Sequence, residues 1–153
     1  MTTLPTVLIT GASSGIGATY AERFARRGHD LVLVARDEAR LDTLAASLRA
    51  SHGVAVDVLR ADLTHPGDLA TIEARLRDDG RIGILVNNAG LAQSGGFAQQ
   101  NPDAIDGLVT LNITALTRLA AAVTPRFLQS GSGSIVNIGS VVGFAPELGM
   151  TIY

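Results

Sequence analysis

The sequence predicts an α/β fold of three layers, a doubly wound parallel sheet of five strands with helices on both faces. Three observations carry that expectation. Five short apolar, β-branched runs recur along 153 residues; longer stretches of helical pattern separate them; and a glycine-rich turn joins the first run directly to the first helical stretch. Alternation of this kind predicts parallel strands joined by right-handed crossovers.

In chain order, Thr6 to Ile9 reads as the first strand and Gly15 to Arg27 as the first helix. Leu31 to Ala35 is the second strand, followed by a helix over Asp37 to Ser51 with Asp37 as its N-cap. Val54 to Leu59 precedes a helix over Pro66 to Asp79, where proline suits the first helical position. Ile82 to Val86 is the fourth strand. The last helix, Pro102 to Gln129, contains Pro125, which is expected to kink it or to begin a separate turn. Ser130 to Ser134 reads as a tight turn into a fifth strand, Ser134 to Ile138. No linker or repeat divides the chain, so residues 1–153 are read as one domain.

Composition narrows the function classes. The chain is 46% hydrophobic and only 17% charged, below the usual quarter. It has no cysteine, which excludes disulfides, thiolate zinc sites and a cysteine nucleophile, and makes the reducing cytoplasm the expected compartment. Met1 to Thr10 lacks a basic leader segment, and no uninterrupted apolar run approaches the ~20 residues of a membrane span, so neither export nor a membrane is expected. The net charge of −2 is spread along the chain, which argues against a nucleic-acid partner. All 12 basic residues are arginines. His29, His52 and His65 are isolated near element ends with no ligand spacing, so no metal is expected.

The first turn, Thr10-Gly11-Ala12-Ser13-Ser14-Gly15-Ile16-Gly17, lies between a strand and a helix. Gly11 permits the sharp turn, Gly15 lets backbone approach a pyrophosphate, and Gly17 lets the helix pack close to the strand. The helix N-terminus offers free N–H groups to an anion. A turn that merely allows tight packing is the competing reading. The spacing is G-x-x-x-G-x-G, and it occurs with Asn87-Asn88-Ala89-Gly90 after the fourth strand, Asp62-Leu63 after the third, Asn112, Ser140 and Tyr153.

In that order and spacing the chain resembles the short-chain dehydrogenase/reductase family over essentially its whole length, which implies a Rossmann-type dinucleotide fold. The resemblance implies that Ser13, Ser14 and Ile16 join the three glycines in binding the cofactor. It puts Asp62 and Leu63 at the adenine, and Asn88, Ala89 and Gly90 beside the adenine ribose and in support of the sheet.

The end of the second strand selects the cofactor, because an acid there accepts from the 2′-hydroxyl of NAD and an arginine meets the 2′-phosphate of NADP. The slot for the acid holds Ala35, and Arg36 follows. NADP is therefore the expected cofactor, with NAD the alternative and a solvated loop charge the competing reading of Arg36.

Ser140 follows the fifth strand and Tyr153 lies 13 residues later. The resemblance implies hydride transfer between nicotinamide and a carbonyl or secondary alcohol. Tyr153 would move the proton, Ser140 would bond the substrate oxygen, and Asn112 would hold a water in the proton relay. A free phenol has a pKa of about 10, and the family lowers it with a lysine four residues after the tyrosine. The given sequence stops before that position and holds no lysine. The family's later helix, strands and substrate-binding segment are likewise expected to be missing, so the chain alone is expected to bind cofactor without efficient turnover. The alternative is a non-catalytic NADP(H)-binding module; a ligand-free structural fragment ranks last. The resemblance implies that the long last helix contributes to dimer packing, so Leu108 to Val123 is expected to offer a face to a homo-oligomer, and an internal core face explains the same pattern.

Overall fold

The computed structural model describes residues 4–144. Its strands are β1 (Thr6–Thr10), β2 (Leu31–Ala35), β3 (Val56–Arg60), β4 (Ile82–Asn87) and β5 (Ser134–Asn137). The helices are α1 (Gly15–Ala25), α2 (Glu38–His52), α3 (Pro66–Asp78), α4 (Pro102–Val109) and α5 (Leu116–Ser130). All strand pairs are parallel, in the order β3-β2-β1-β4-β5. The chain runs outward from β1 through β2 to β3, then crosses to the other side of β1 to form β4. That reversal opens a crevice at the carboxyl ends of β1 and β4, where open α/β sheets bind ligands.

The period-2 alternation of each strand divides the core into two layers. Val7, Ile9, Leu31 and Leu33 pack against Ala21 and Ala25 of α1 and Leu41, Ala45 and Leu48 of α2. Leu8, Val32, Val34 and Leu85 face the opposite way, onto Leu69, Ile72 and Leu76 of α3 and Leu119 and Val123 of α5. Each fully buried leucine or isoleucine contributes roughly 1.5–3 kcal/mol. A buried carboxylate, Glu73 of α3, is held by Arg118 of α5 through two bonds of 2.5 and 3.0 Å, which joins these helices.

Element bounds agree with the sequence reading to within a few residues, with one correction. Pro125 neither breaks the last helix nor begins a new turn. Its ring lies on the exposed side, the Thr124 hydroxyl donates to the Ala120 carbonyl at 2.7 Å, and the helix runs on to Gly131, whose left-handed backbone ends it. The irregularity falls earlier, in a π-helical turn over Thr110–Ala115. From Pro102 to Ser130 the helix is therefore continuous for 29 residues, and one 18-residue window has mean hydropathy 1.3, enough by length and composition to cross a bilayer. Here Ala115, Leu119, Val123 and Phe127 pack it onto the sheet and α3.

Candidate nucleotide-binding and catalytic site

The floor of the crevice is a set of side-chain-to-backbone hydrogen bonds between the end of β1 and the segment after β4. The Thr10 hydroxyl oxygen accepts the N–H groups of Asn88 and Ala89, each at 3.0 Å. The Asn88 amide donates back to the carbonyls of Thr10 and Gly11, at 3.0 and 3.1 Å. Gly17 is buried directly beneath the turn: a Cβ there would lie 2.3 Å from the Gly11 oxygen and 2.6 Å from the Asn88 amide nitrogen. Gly15 has φ of +54° and open space where a side chain would be. Only the first of these two glycines is closed off by packing; the second leaves a clear approach to the backbone.

Above this floor lies an open cavity of about 520 Å³. Gly11, Ser13, Ser14, Gly15 and Ile16 form one wall; Asn88, Ala89, Gly90 and Leu91 form another. Ser14 caps α1 without using its side chain, so its hydroxyl stays available, and no acid stands in the first helical turn to oppose an anion. Gly17 contributes packing and no cavity surface among the described residues.

The remaining walls come from the ends of β2 and β3. Asp62 and Leu63 line the cavity with Thr64. The Asp62 carboxyl oxygen accepts the Thr64 hydroxyl at 2.7 Å and the Thr64 N–H at 3.0 Å. The hydroxyl bond, opposed by partial burial and aided by that N–H and by Arg36 and Arg60, lowers the Asp62 pKa and keeps it an anionic acceptor. Ala35, Arg36, Asp37 and Arg40 close the end of the cavity beside β2. Asp37 caps α2 as expected, its Oδ1 accepting the Arg40 N–H at 3.0 Å.

Ser140 and Asn112 lie at the same carboxyl end of the sheet, and neither lines the cavity. β5 continues β4 through Asn137 opposite Asn87, and the Ile138 N–H donates to the Asn87 carbonyl at 2.9 Å. Ser140 follows; its oxygen accepts the Val142 N–H at 3.2 Å, which fixes the hydroxyl and leaves its proton to donate. Asn112 sits in the π-helical turn. Its oxygen accepts the Leu91 N–H at 2.8 Å and its nitrogen donates to the Leu91 carbonyl at 2.7 Å. The amide thus ties the long helix to the cavity wall. Tyr153 lies outside the described residues.

A family model for short chain dehydrogenases matches residues 5–153. The chain belongs to the short chain dehydrogenase family. The short-chain dehydrogenase of Sphingobium yanoikuyae, solved in complex with NADPH, is 77% identical with a TM-score of 0.97, over 98% of this chain and 59% of that one. The bulky-bulky ketone specific alcohol dehydrogenase of Comamonas testosteroni is 71% identical with the same TM-score of 0.97, over 99% and 61%. An uncharacterized oxidoreductase of Staphylococcus saprophyticus is 35% identical over 95% of this chain and 63% of its own length. The chain therefore spans less than two thirds of each of these relatives.

Within this short-chain dehydrogenase fold, sequence reasoning missed Arg40, Thr64, Leu91 and Leu111, all of which line the cavity. Arg40 was findable, because it stands three residues after the predicted N-cap Asp37 and so on the same side of the first helical turn. Leu91 acts through its backbone, which leaves no signature in residue type. The histidines are structural: His29 bonds the Pro5 carbonyl at 2.7 Å, His52 bonds Glu22 at 2.8 Å, and His65 caps α3. No cluster of potential metal ligands occurs among the described residues.

Proposed function

We propose that this chain binds NADP(H) in the β1/β4 crevice and serves an oxidoreductase that transfers a hydride between nicotinamide and a ketone or secondary alcohol. The observation that carries this reading is the wall at the end of β2, where Ala35 stands in the slot for an NAD-selecting acid and Arg36 follows it into the cavity. The NADPH complex of the 77% identical relative supports it.

The open approach at Gly15, the free N–H groups of the first turn of α1, and the Ser13 and Ser14 hydroxyls suit a pyrophosphate. Asp62 and the Leu63 backbone would hold the adenine, Ala89 and Gly90 would flank its ribose, and Arg36 would meet the 2′-phosphate. When bound, the nicotinamide supplies or accepts the hydride. The work of the chain is then to orient the substrate and move one proton. Ser140 would donate its hydroxyl proton to the substrate oxygen, stabilising charge that grows there during reduction. Tyr153 would deliver the proton to that oxygen. Asn112 would hold the Leu91 wall and the helix in place beside them, with one N–H and one lone pair left for a relay water. The substrate class we infer is a carbonyl flanked by two bulky groups, from the bulky-bulky ketone specificity of the 71% identical relative. Residence in the cytoplasm belongs to the same reading, supported by the absence of cysteine.

The test is a pair of titrations, NADPH and NADH, followed by NADPH oxidation assays with diaryl and small aliphatic ketones. NADPH should bind at least about tenfold more tightly, the worth of one charge-assisted contact. Equal or reversed affinity would overturn the cofactor assignment. Binding without turnover of any ketone is the outcome expected of this chain without the family's lysine; in a chain that carries that lysine it would favour a nucleotide-binding module, and turnover of small ketones only would overturn the substrate class.

A further inference from the structure

We propose that Arg40 is a second cofactor-selecting residue, which acts by keeping Asp37 away from the ribose and by adding its own charge beside Arg36. The inference rests on the NADP(H) reading above and extends it to a residue which that reading leaves unassigned.

The wall at the end of β2 is not free of acid. Asp37 lines the cavity immediately after Arg36, and a carboxylate at that height could accept from the 2′-hydroxyl of NADH. It would also repel a 2′-phosphate, which carries close to two negative charges at neutral pH. Arg40 removes the acid from both roles. Its backbone N–H takes Asp37 Oδ1 at 3.0 Å, and its side-chain Nε lies 3.3 Å from Asp37 Oδ2. Both carboxylate oxygens are therefore engaged by one residue. The guanidinium has five N–H donors, and the pair with Asp37 uses Nε, so the terminal nitrogens remain for a phosphate. Arg40 is 68% exposed and lines the same cavity as Arg36, so its head can turn toward a ligand at small cost.

Arg36 and Arg40 consequently differ in what their loss would do. Removing Arg36 deletes a cation. Removing Arg40 deletes a cation and also uncovers an acid. Arg36→Ala should weaken NADPH and leave NADH nearly unchanged, whereas Arg40→Ala should weaken NADPH and strengthen NADH together. The Asp37→Asn/Arg40→Ala double variant should keep the part of the NADPH loss that comes from the missing cation, recover the part that comes from the uncovered carboxylate, and abolish the NADH gain.

The experiment measures dissociation constants for NADPH, NADH, 2′-phospho-AMP and AMP with the purified wild-type protein and these variants. Arg40→Ala should shift the NADPH-to-NADH affinity ratio by about 10–100-fold, from one lost charge-assisted contact and one uncovered carboxylate. The Arg40 backbone N–H survives the substitution, so the cap of α2 persists; Arg40→Gln, of similar side-chain length, gives a second variant if the first folds poorly. A ratio unchanged by both Arg40 variants, with NADPH still preferred by the wild type, would overturn the role of Arg40 alone. A wild type that does not prefer NADPH, or that ignores the 2′-phosphate of 2′-phospho-AMP, would instead overturn the NADP(H) reading. An NADH gain that survives in the double variant would overturn the masking of Asp37.

Discussion

At Gly17 the chain has no room for a single methyl group, because the Gly11 carbonyl and the Asn88 amide already occupy that space. Gly17→Ala must push α1 away from the turn or displace Asn88, and overpacking of this kind costs about 1–3 kcal/mol. The expected outcome is a lower thermal midpoint and nucleotide binding weakened by more than about tenfold, read by melting and by NADPH titration. Unchanged binding would mean that α1 can retreat without loosening the turn. Ser140 is a different case, since it follows β5 and does not line the cavity, its hydroxyl oxygen accepting the Val142 N–H. Ser140→Ala should leave NADPH affinity intact and lower kcat/KM by about 10²–10³, the usual worth of a donor aimed at developing charge. A parallel loss of cofactor affinity would put Ser140 in the wrong role.

At the scale of elements, the strands were legible because each is a compact apolar, β-branched run bounded by turn residues. Where the reading erred, backbone hydrogen bonds decided. Val54 is buried and strand-like in type, yet β3 begins only at Val56: Gly53 ends α2 in the left-handed region and the Ala55 N–H is taken by the Asp30 side chain. Pro125 does not begin a separate turn, since the helix continues through it, and the hydrogen-bond register slips instead at Thr110–Ala115, where the Asn112 amide is pinned to Leu91. No composition rule marks that clamp, since a single asparagine reaching a distant backbone has no periodic signal. Asn112→Leu should leave two cavity-wall backbone groups without partners, an expected loss of about 1–3 kcal/mol each if water cannot replace the amide. Chemical denaturation would read the loss, and hydrogen exchange at Leu91 should rise with it. Full protection of Leu91 in the variant would refute the clamp.

For the molecule as a whole, the layered architecture was readable from alternation, and the glycine turn and Asn-Asn-Ala-Gly segment located the cavity. The charge network at the opposite end of the sheet was not readable, because it joins residues from separate elements. There Asp79 accepts the backbone N–H of Arg81 at 3.1 Å and two guanidinium nitrogens of the same residue at 2.9 and 2.7 Å. The side-chain bond from Arg81, helped by its N–H and by the charges of Arg81 and Arg75, lowers the Asp79 pKa from 3.8 to about 2. A carboxyl with a depressed folded-state pKa stabilises the protein above its unfolded value and loses that contribution as pH falls toward the folded one. Stability should therefore drop by on the order of 1–2 kcal/mol from this group between about pH 5 and pH 2. Urea denaturation at a series of pH values would show it, and Asp79→Asn should flatten that part of the profile while lowering stability at neutral pH.

The Thr10 hydroxyl holds the N–H groups of Asn88 and Ala89, and Asn88 reaches back to the same strand end, so two loops that belong to different halves of the sheet are bolted together by bonds within the chain itself. A floor built in this way has little disorder left to surrender. Binding energy that a loose crevice would spend on ordering its loops is available here as affinity and as discrimination between ligands.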